Sequence, residues 1–365
     1  MIARRRSFRV FELLYLSGVL LGLGACSQAP EQAPVPLPAV DEDTTTESSQ
    51  DDEVSAETTE PEVVELPAQE PAPPLVMMGS TLTLEQIEEE LRTGQVRRIR
   101  PIRASQSIVF RIRMRGEVDA AYKPRTQQLR WGYRAEVAAY RVARALGMDN
   151  VPPAVIRYYR RSVMERQVDT DFADRWSDFA DMMRWESGGS VPGAMIYWVP
   201  DLHDTELDRR SRMEEWSSWL THDGEIPEGK ETLAADLATM VAFDFLVANW
   251  DRFSGGNVDG NEEQTRLYVR DHNIAFAHPL PERLQRRLGT HLRRTERFSR
   301  TWVTALRSMD IEAWTGLMRE SEADDAPSVL SENQILDLQG RQRAILSYVN
   351  ALIDRHGEAA TLCFP

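Results

Sequence analysis

Four short segments carry the side chains best suited to chemistry, and they occur in an informative order. Lys123 lies at the end of a predicted strand, and Glu136 lies on the helix predicted to follow it. Asp251 comes directly after a long apolar helix, and Asp271 ends a β-prone run. A lysine can contact phosphate oxygens, while carboxylates can accept a proton from a hydroxyl or bind Mg²⁺ or Mn²⁺. Together these groups match the requirements of phosphoryl transfer to a hydroxyl.

Lys123 and Glu136 are predicted to form an ion pair. Small and apolar neighbours place Glu136 close to the buried stripe of its helix, where an unpaired carboxylate is costly. The carboxylate therefore needs a cation, and Lys123 is the nearest attractive candidate. Taken alone, Lys123 could be an ordinary surface lysine whose aliphatic chain packs on the protein while its ammonium stays in water. Likewise, Glu136 could be a solvent-exposed charge on its helix.

The segment after the apolar helix supplies two further candidates. It reads Asn249-Trp250-Asp251-Arg252 and continues to Gly255-Gly256-Asn257. Asp251, at the helix exit, is a candidate to accept a proton from a hydroxyl nucleophile, and Asn257 can offer an oxygen to a metal. Asp271, at a strand end, suits Mg²⁺ or Mn²⁺. The alternative for Asp251 is an Asp-Arg pair that holds the loop in place. The alternative for Asp271 is an ordinary aspartate in a turn.

The hydrophobic pattern indicates the elements that position these groups. Thr83 and Gln86 have the spacing of a capping box, which predicts a helix over 84–92, and a second helix over 133–146 stops at Gly147. Five strands are predicted, over 96–104, 107–114, 118–123, 154–163 and 194–199. A Trp- and Asp-rich insertion separates the last two, and the chain from 232 is mainly helical. This order predicts an α+β fold of two lobes, a sheet-rich lobe over 79–200 and a helical lobe over 201–365.

The first 25 residues have the pattern of an export signal. Arginines at positions 4, 5, 6 and 9 precede an apolar stretch over 10–23, which is short for a bilayer span of about 20 residues. Leu23-Gly24-Ala25-Cys26 resembles the bacterial lipobox. That resemblance implies cleavage before Cys26, lipidation of Cys26 and a membrane-anchored place in the bacterial cell envelope. The alternative is an ordinary signal peptide with a chance cysteine. Arg5-Arg6-Ser7-Phe8 also resembles a twin-arginine export core.

Residues 26–78 are predicted to form a lipidated cysteine followed by a disordered acidic tether. Positions 27–78 contain thirteen Asp or Glu and no Lys or Arg. Because the tether supplies most of the net charge of −15, that charge says little about the partner of the domain.

No long basic run indicates nucleic acid. Apart from Cys26 only Cys363 remains, so the domain can form no internal disulfide. We also expect the protein to be a monomer. No two of the six histidines have helical metal-binding spacing, which argues against a histidine zinc site.

The chemical segments resemble those of the four-jointed and related secretory-pathway kinases, which include Golgi casein kinase-like enzymes. The resemblance rests on Lys123-Pro124, on 135–140, 144–147 and 151–153, and on 243–246, 249–252 and 271–273. It implies an atypical protein-kinase-like fold with ATP between the lobes. By that resemblance Lys123 would contact phosphates and Glu136 would pair with it. Asp251 would be the catalytic base, and Asp271, with Asn257, would hold Mg²⁺ or Mn²⁺.

Three further residues are candidate nucleotide contacts. Trp198 lies in the segment 196–200, where a kinase hinge would meet adenine, and Ser105 and Ser107 offer hydroxyls to phosphates in place of a Gly-rich loop. The sequence therefore predicts an ATP- and metal-dependent kinase that acts on a hydroxyl of a protein or a glycan. The alternative is a pseudokinase-type lipoprotein that binds nucleotide or a partner without catalysis. The expected scarcity of ATP outside the cytoplasmic membrane favours that alternative.

Overall fold

The sheet of the first lobe contains five antiparallel strands. The computed structural model describes residues 73–103, 108–319 and 327–365. The strands are β1 (Val96–Arg103), β2 (Ile108–Met114), β3 (Ala120–Pro124), β4 (Ala154–Arg160) and β5 (Ser190–Tyr197). Their order across the sheet is β1-β2-β3-β5-β4. In β2 the side chains of Ile108, Phe110, Ile112 and Met114 are buried while the alternate positions face the other way, as a period of two requires.

Two helices cover the buried face of this sheet. Helix α1 (Leu84–Thr93) begins at Thr83, and both hydrogen bonds of the predicted capping box with Gln86 are present. Helix α2 (Gly132–Ala145) buries an alanine-rich face, and Gly147 follows it with a φ of 74°, which a glycine adopts without steric cost. These elements fix the position of the α2 carboxylate relative to β3.

The first lobe departs from the sequence prediction at the end of β4 and at the start of the packed chain, and β5 begins four residues earlier than predicted. The strand predicted over 154–163 ends at Arg160, and α3 (Arg161–Gln167) begins directly after it, so Val163 is helical. Residues 73–78, which the sequence assigned to the tether, include the buried Met77 and a bridge between Val76 and Thr83. The packed part of the chain therefore begins before Gly79, because the apolar end of the tether can be buried against the domain.

The predicted insertion is helical. After α3 it contains a 3₁₀ turn (Thr170–Arg175) and α4 (Trp176–Met182), and it returns to the sheet at β5. Trp176 and Phe179 are buried, and the Phe179 ring packs edge-on against Phe110 of β2. The aromatic residues of this insertion thus contribute to packing of the lobe.

The second lobe is helical. Its elements are α5 (Arg210–Trp219), α6 (Glu231–Val247), α7 (Glu282–Leu292), α8 (Arg300–Ser308), α9 (Ile311–Leu317), α10 (Glu332–His356) and α11 (Glu358–Thr361). A small sheet of β6 (His203–Asp204), β7 (Asp259–Gly260) and β8 (Leu267–Tyr268) precedes Asp271. Helix α6 is buried along most of its length and packs against α7 and α10. Within the described ranges, no helix has the length and apolarity to cross a membrane.

Several predictions concern residues that the structure does not describe. The signal peptide, Cys26 and the tether up to residue 72 lie outside the described ranges, and so do Ser105 and Ser107. Lipidation and the serine contacts with phosphate therefore stay predictions.

Candidate functional site

Lys123 and Glu136 form a close ion pair. Alternation along β3 directs Tyr122 into the core and Lys123 to the opposite face, which also carries Ala121. The Lys123 Nζ lies 2.5 Å from Glu136 Oε1. Glu136 is 4% exposed, so the ammonium compensates a carboxylate that burial would otherwise disfavour.

Asp271 completes this group from the other lobe. Its Oδ1 lies 2.9 Å from Lys123 Nζ, and the backbone N–H of His272 donates to Glu136 Oε2 at 3.1 Å. The φ of Asp271 is 63°, a left-handed conformation that aspartate tolerates better than most residues. A strained residue that its surroundings hold in place is typical of functional sites.

The charge states follow from these contacts. Burial opposes the charge of Lys123, but the attraction of Glu136 and Asp271 outweighs it and raises the lysine pKa above its usual value. Burial alone would raise the pKa of Asp271, whereas Lys123 lowers it to about 2. The site therefore holds a cation between two carboxylates, and Asp271 is ionised at neutral pH.

These side chains line a cleft of about 420 Å³. Lys123, Glu136, Asp271 and His272 form its polar end, and Arg270 also reaches it. The remaining wall is mainly apolar and includes Val109, Ala121, Ile196, Trp198, Val199 and Leu202. The Trp198 ring, which is half-buried, packs 4.3 Å from the Arg111 guanidinium. A mainly apolar cleft with a cation at one end suits a planar base joined to phosphates.

A larger cavity of about 510 Å³ lies elsewhere in the first lobe, between α1, α2 and β4. Its charged groups already have partners, since Glu88 accepts hydrogen bonds from the Tyr140 hydroxyl at 2.6 Å and from Arg144, and Arg141 donates to two carbonyls. The cleft at Lys123 is therefore the better candidate site despite its smaller volume.

Asp244 and Arg252 form a second ion pair behind the cleft. Arg252 Nε and Nη2 donate to the two carboxylate oxygens of Asp244 at 2.8 and 3.0 Å. Nη1 donates to the carbonyls of Asn257 and Arg270 at 3.0 and 2.5 Å. Such a bidentate pair is strong and directional. Arg252 therefore connects three segments by hydrogen bonds: the end of α6, the loop before Asn257 and the segment before Asp271.

The turn between α6 and Asp251 is also specified by side chains. Helix α6 ends at Ala248, whose φ of 57° is left-handed, and the Asn249 N–H donates back to the Asp244 carbonyl at 2.8 Å. The Asn249 amide lies 3.3 Å from Asp244, from the Asp271 carbonyl and from the His272 ring. Burial and the charge of Arg252 lower the pKa of His272 to about 3, so this ring is neutral at neutral pH.

Asp251 and Asn257 lie beside the cleft rather than on its wall. Neither Asp251 nor Asn257 is among the described residues that line the cleft. Both are partly exposed, and the Asn257 amide donates to the Asp251 carbonyl at 3.0 Å. That bond leaves the Asn257 Oδ1 as its possible metal ligand. Arg252 fixes the Asn257 carbonyl, so both residues belong to the loop that the buried pair holds.

The sequence prediction missed the partner of Arg252. An Asp-Arg pair within Asp251-Arg252 was the alternative considered, but the partner is Asp244, in the final turn of α6. The signal was an aspartate within the apolar run of residues 240–247, since a buried carboxylate needs a cation. Arg270, which lines the cleft and pairs with Asp259 at 2.5 Å, was also not singled out.

The side chains at the cleft fit a divalent cation and a nucleotide. An ionised carboxylate and an amide oxygen are hard donors, which Mg²⁺ and Mn²⁺ prefer. Asp271 supplies the first at the cleft wall, and Asn257 would have to supply the second from the loop beside the cleft. Lys123 offers a charge that phosphate oxygens can share with the two carboxylates.

Comparisons with known proteins give structural neighbours only. No family model matches the chain, and no curated protein matches it significantly. The Golgi casein kinase with Mn/ADP bound has a TM-score of 0.59 at 15% identity, covering 76% of this chain and 78% of that one. Another Golgi casein kinase structure has a TM-score of 0.56 at 14% identity with the same coverage. Hydra Fam20 with sugar has a TM-score of 0.54 at 16% identity, covering 78% and 93%.

At these identities the likeness shows the fold. The predicted α+β, two-lobed, atypical protein-kinase-like fold is confirmed, since both the five-stranded sheet and the helical second lobe are present. The chain therefore has a Golgi casein kinase-like and Fam20-like fold.

Proposed function

We propose that this chain is an ATP- and divalent-metal-dependent kinase that phosphorylates a hydroxyl of a protein or a glycan. One observation carries the proposal: Lys123 lies between Glu136 and Asp271 at the polar end of an otherwise apolar cleft. In phosphoryl transfer the protein mainly positions the phosphates and stabilises their charge, and this arrangement supplies both functions.

The nucleotide would lie along the cleft. Its base would contact the apolar wall near Trp198 and Val199, and its phosphates would reach Lys123. Asp271, with Asn257, would hold Mg²⁺ or Mn²⁺, which supplies charge neutralisation at the phosphates when bound. Glu136 keeps the ammonium of Lys123 in place. One structural neighbour, the Golgi casein kinase, has Mn/ADP bound, which supports this choice of ligands.

The hydroxyl nucleophile would approach from the side of Asp251. This carboxylate is partly exposed, and it lies on the loop that Arg252 ties to the segment before Asp271. Asp251 would accept the hydroxyl proton there, and the buried pair keeps the loop at a fixed distance from the phosphates.

The enzyme would act in the bacterial cell envelope, anchored through a lipid on Cys26. The basic start, the apolar stretch and the lipobox-like Leu23-Gly24-Ala25-Cys26 support that location. Cys26→Ala is expected to abolish labelling by a fatty-acid probe. Normal labelling of the variant would exclude the anchor.

Nucleotide turnover by the purified full chain tests the activity. Autophosphorylation and ATP hydrolysis with Mg²⁺ or Mn²⁺ would be compared among wild type, Asp251→Asn and Asp271→Asn. Asp178→Asn, an exposed carboxylate on α4, is the matched control. We expect metal-dependent transfer that both site variants lose and the control keeps. Transfer that persists in Asp271→Asn would exclude the proposed role of this residue.

A pseudokinase is the second candidate. The observation in its favour is that Asp251, the proposed base, does not line the cleft that Lys123 lines, among the residues described there. Metal-dependent stabilisation by ATP without any transfer would support the pseudokinase. Absence of both nucleotide binding and transfer would exclude the kinase and a nucleotide-binding pseudokinase, and it would leave the module that binds a partner.

A further inference from the structure

Three metal-ligating side chains meet in the second lobe, outside the nucleotide cleft. His222 follows α5, Glu296 precedes α8, and His356 is the last residue of α10. One donor atom from each lies within 4.8 Å of the others. Because the three residues come from distant parts of the chain, the fold alone brings them together.

The carboxylate holds one imidazole in place. Glu296 Oε2 lies 3.0 Å from His222 Nδ1 and accepts the His222 backbone N–H at 2.9 Å. The His222 and His356 rings stack with centroids 3.9 Å apart and an angle of 19° between their planes. The two imidazoles therefore lie face to face next to one carboxylate, and a shared metal would require the rings to turn so that one nitrogen of each points to it.

A buried nitrogen in this cluster lacks a partner. His356 Nε2 is shielded from solvent and has no hydrogen-bond partner among the residues that the structure describes. Leaving a buried polar atom unpaired is unfavourable, and such an atom in a folded protein calls for an explanation. A bound cation would provide one.

Hydrogen bonds from a neighbouring arginine hold one loop of the cluster in place. Arg297 donates to the carbonyls of Trp219 and His222 at 3.1 and 3.0 Å, which fixes the loop that carries the first imidazole.

We propose that His222, Glu296 and His356 form a binding site for a divalent transition metal of the zinc class. Two imidazole nitrogens and a carboxylate oxygen are a donor set of zinc proteins, with a fourth position left for another ligand. Asp223, whose Oδ1 lies 3.8 Å from His222 Nδ1, is the nearest candidate for that position, and water is the other. This donor set differs from the oxygen ligands at the cleft, so the two sites would select different metals.

The metal would fasten the end of α10 to two loops. His356 closes the long helix α10, whereas His222 and Glu296 lie in connections between other helices. A ligand that binds only the folded chain stabilises it in proportion to the logarithm of its concentration over Kd. The site is therefore structural and independent of phosphoryl transfer.

Metal titration of the purified full chain tests the site. The chain is stripped with a chelator and then titrated with Zn²⁺, or with Co²⁺, whose visible absorption reports tetrahedral coordination. We expect one tightly bound equivalent, a higher Tm, and at least a tenfold weaker affinity in His222→Ala, Glu296→Gln and His356→Ala. No nucleotide is added, so failure of the kinase proposal would leave this result unaffected.

Two variants serve as controls. His203→Ala removes an exposed imidazole outside the cluster, and Asp271→Asn removes the proposed ligand at the cleft. Both should bind Zn²⁺ like wild type. His356→Gln, checked by circular dichroism, separates loss of a ligand from loss of fold. Absence of binding, binding that survives all three site substitutions, or loss of binding in either control would overturn the proposal.

Discussion

Two neighbouring ion-pair networks, one within the second lobe and one between the lobes, differ in how completely their groups are satisfied. Arg252 and Asp244 are 1% and 3% exposed, and the arginine donates to both carboxylate oxygens and to two carbonyls. Lys123 is 16% exposed and Asp271 is 32% exposed, and one ammonium serves two carboxylates. The first network is closed to solvent, whereas the second faces a cleft.

This difference separates a structural role from a chemical one. A buried pair in which each guanidinium nitrogen is hydrogen-bonded holds its segments together and is shielded from any further ligand. A partly exposed cation shared between two carboxylates retains an excess of negative charge and a direction open to a ligand. We therefore expect changes in the first network to affect stability and changes in the second to affect activity.

The largest effect is expected from Arg252→Ala. Removing one partner of a buried pair leaves Asp244 uncompensated, which costs about 3–5 kcal/mol of the free energy of unfolding. Urea unfolding of the full chain measures this change. Arg212→Ala, which breaks an exposed pair with Glu215, is the control and should cost under about 1 kcal/mol. Equal losses in the two variants would remove the distinction between the networks.

Asp271→Asn tests the other side of the comparison. The amide keeps the size of the side chain and leaves the Lys123–Glu136 pair intact, while it removes the charge that would hold the metal. We expect phosphoryl transfer to fall by about 10²–10³-fold, the usual result of removing one electrostatic group. The urea midpoint should move little. A large loss of stability with retained transfer would place Asp271 in the structural network.

His272 links the two networks and sets a pH dependence. Its pKa is about 3 in the folded chain against an ordinary value of 6.5. Between these values the unfolded chain binds a proton that the folded chain excludes. Stability is therefore fully present above pH 6.5 and is lost toward pH 3, by about 1.4 kcal/mol per pH unit.

Urea unfolding of the chelator-treated chain between pH 7 and pH 5 measures that slope. His272→Gln should flatten the slope relative to wild type. His291, whose pKa is lowered to about 4 by burial and by nearby arginines, contributes its own pH dependence in both chains. The contribution of His272 is therefore the difference between the two slopes. Identical slopes would show that His272 does not carry the effect.

The smallest effect is expected from Trp198→Ala. The ring lines the apolar wall of the cleft, so its loss removes contact area for the nucleotide base but leaves the charged network untouched. Loss of about 1.4 kcal/mol of aromatic contact corresponds to a KM for ATP about tenfold higher. Trp131→Ala, an exposed indole 65% accessible to solvent, is the control. An unchanged KM would place the base elsewhere.

Much of the first lobe follows from local patterns. The capping box at Thr83 forms because its spacing alone places both side chains against free N–H groups. The strands follow from alternation, which separates the buried Tyr122 from the cleft-facing Lys123. The pairing of Lys123 with Glu136 was inferred from the cost of burying a carboxylate, which is a local argument about one helix face.

Other features depend on contacts that no local pattern encodes. Asp244 meets Arg252 only because α6 ends in a left-handed turn at Ala248, which carries the chain back over the helix end. The histidine spacings argued against a zinc site, yet His222 and His356 stack in the folded chain. Spacing rules apply within one element, whereas this cluster joins two loops and a helix end.

By itself, the sequence determined the kinds of elements and the chemical character of the cleft, because periodicity and burial cost act over a few residues. Only the tertiary structure decided which charges are satisfied. Lys123 lies between Glu136 and Asp271, which are 135 positions apart in the chain, because β3, α2 and the segment after β8 converge. Electrostatic partners are chosen by distance in space, and that distance is set by packing of the whole core.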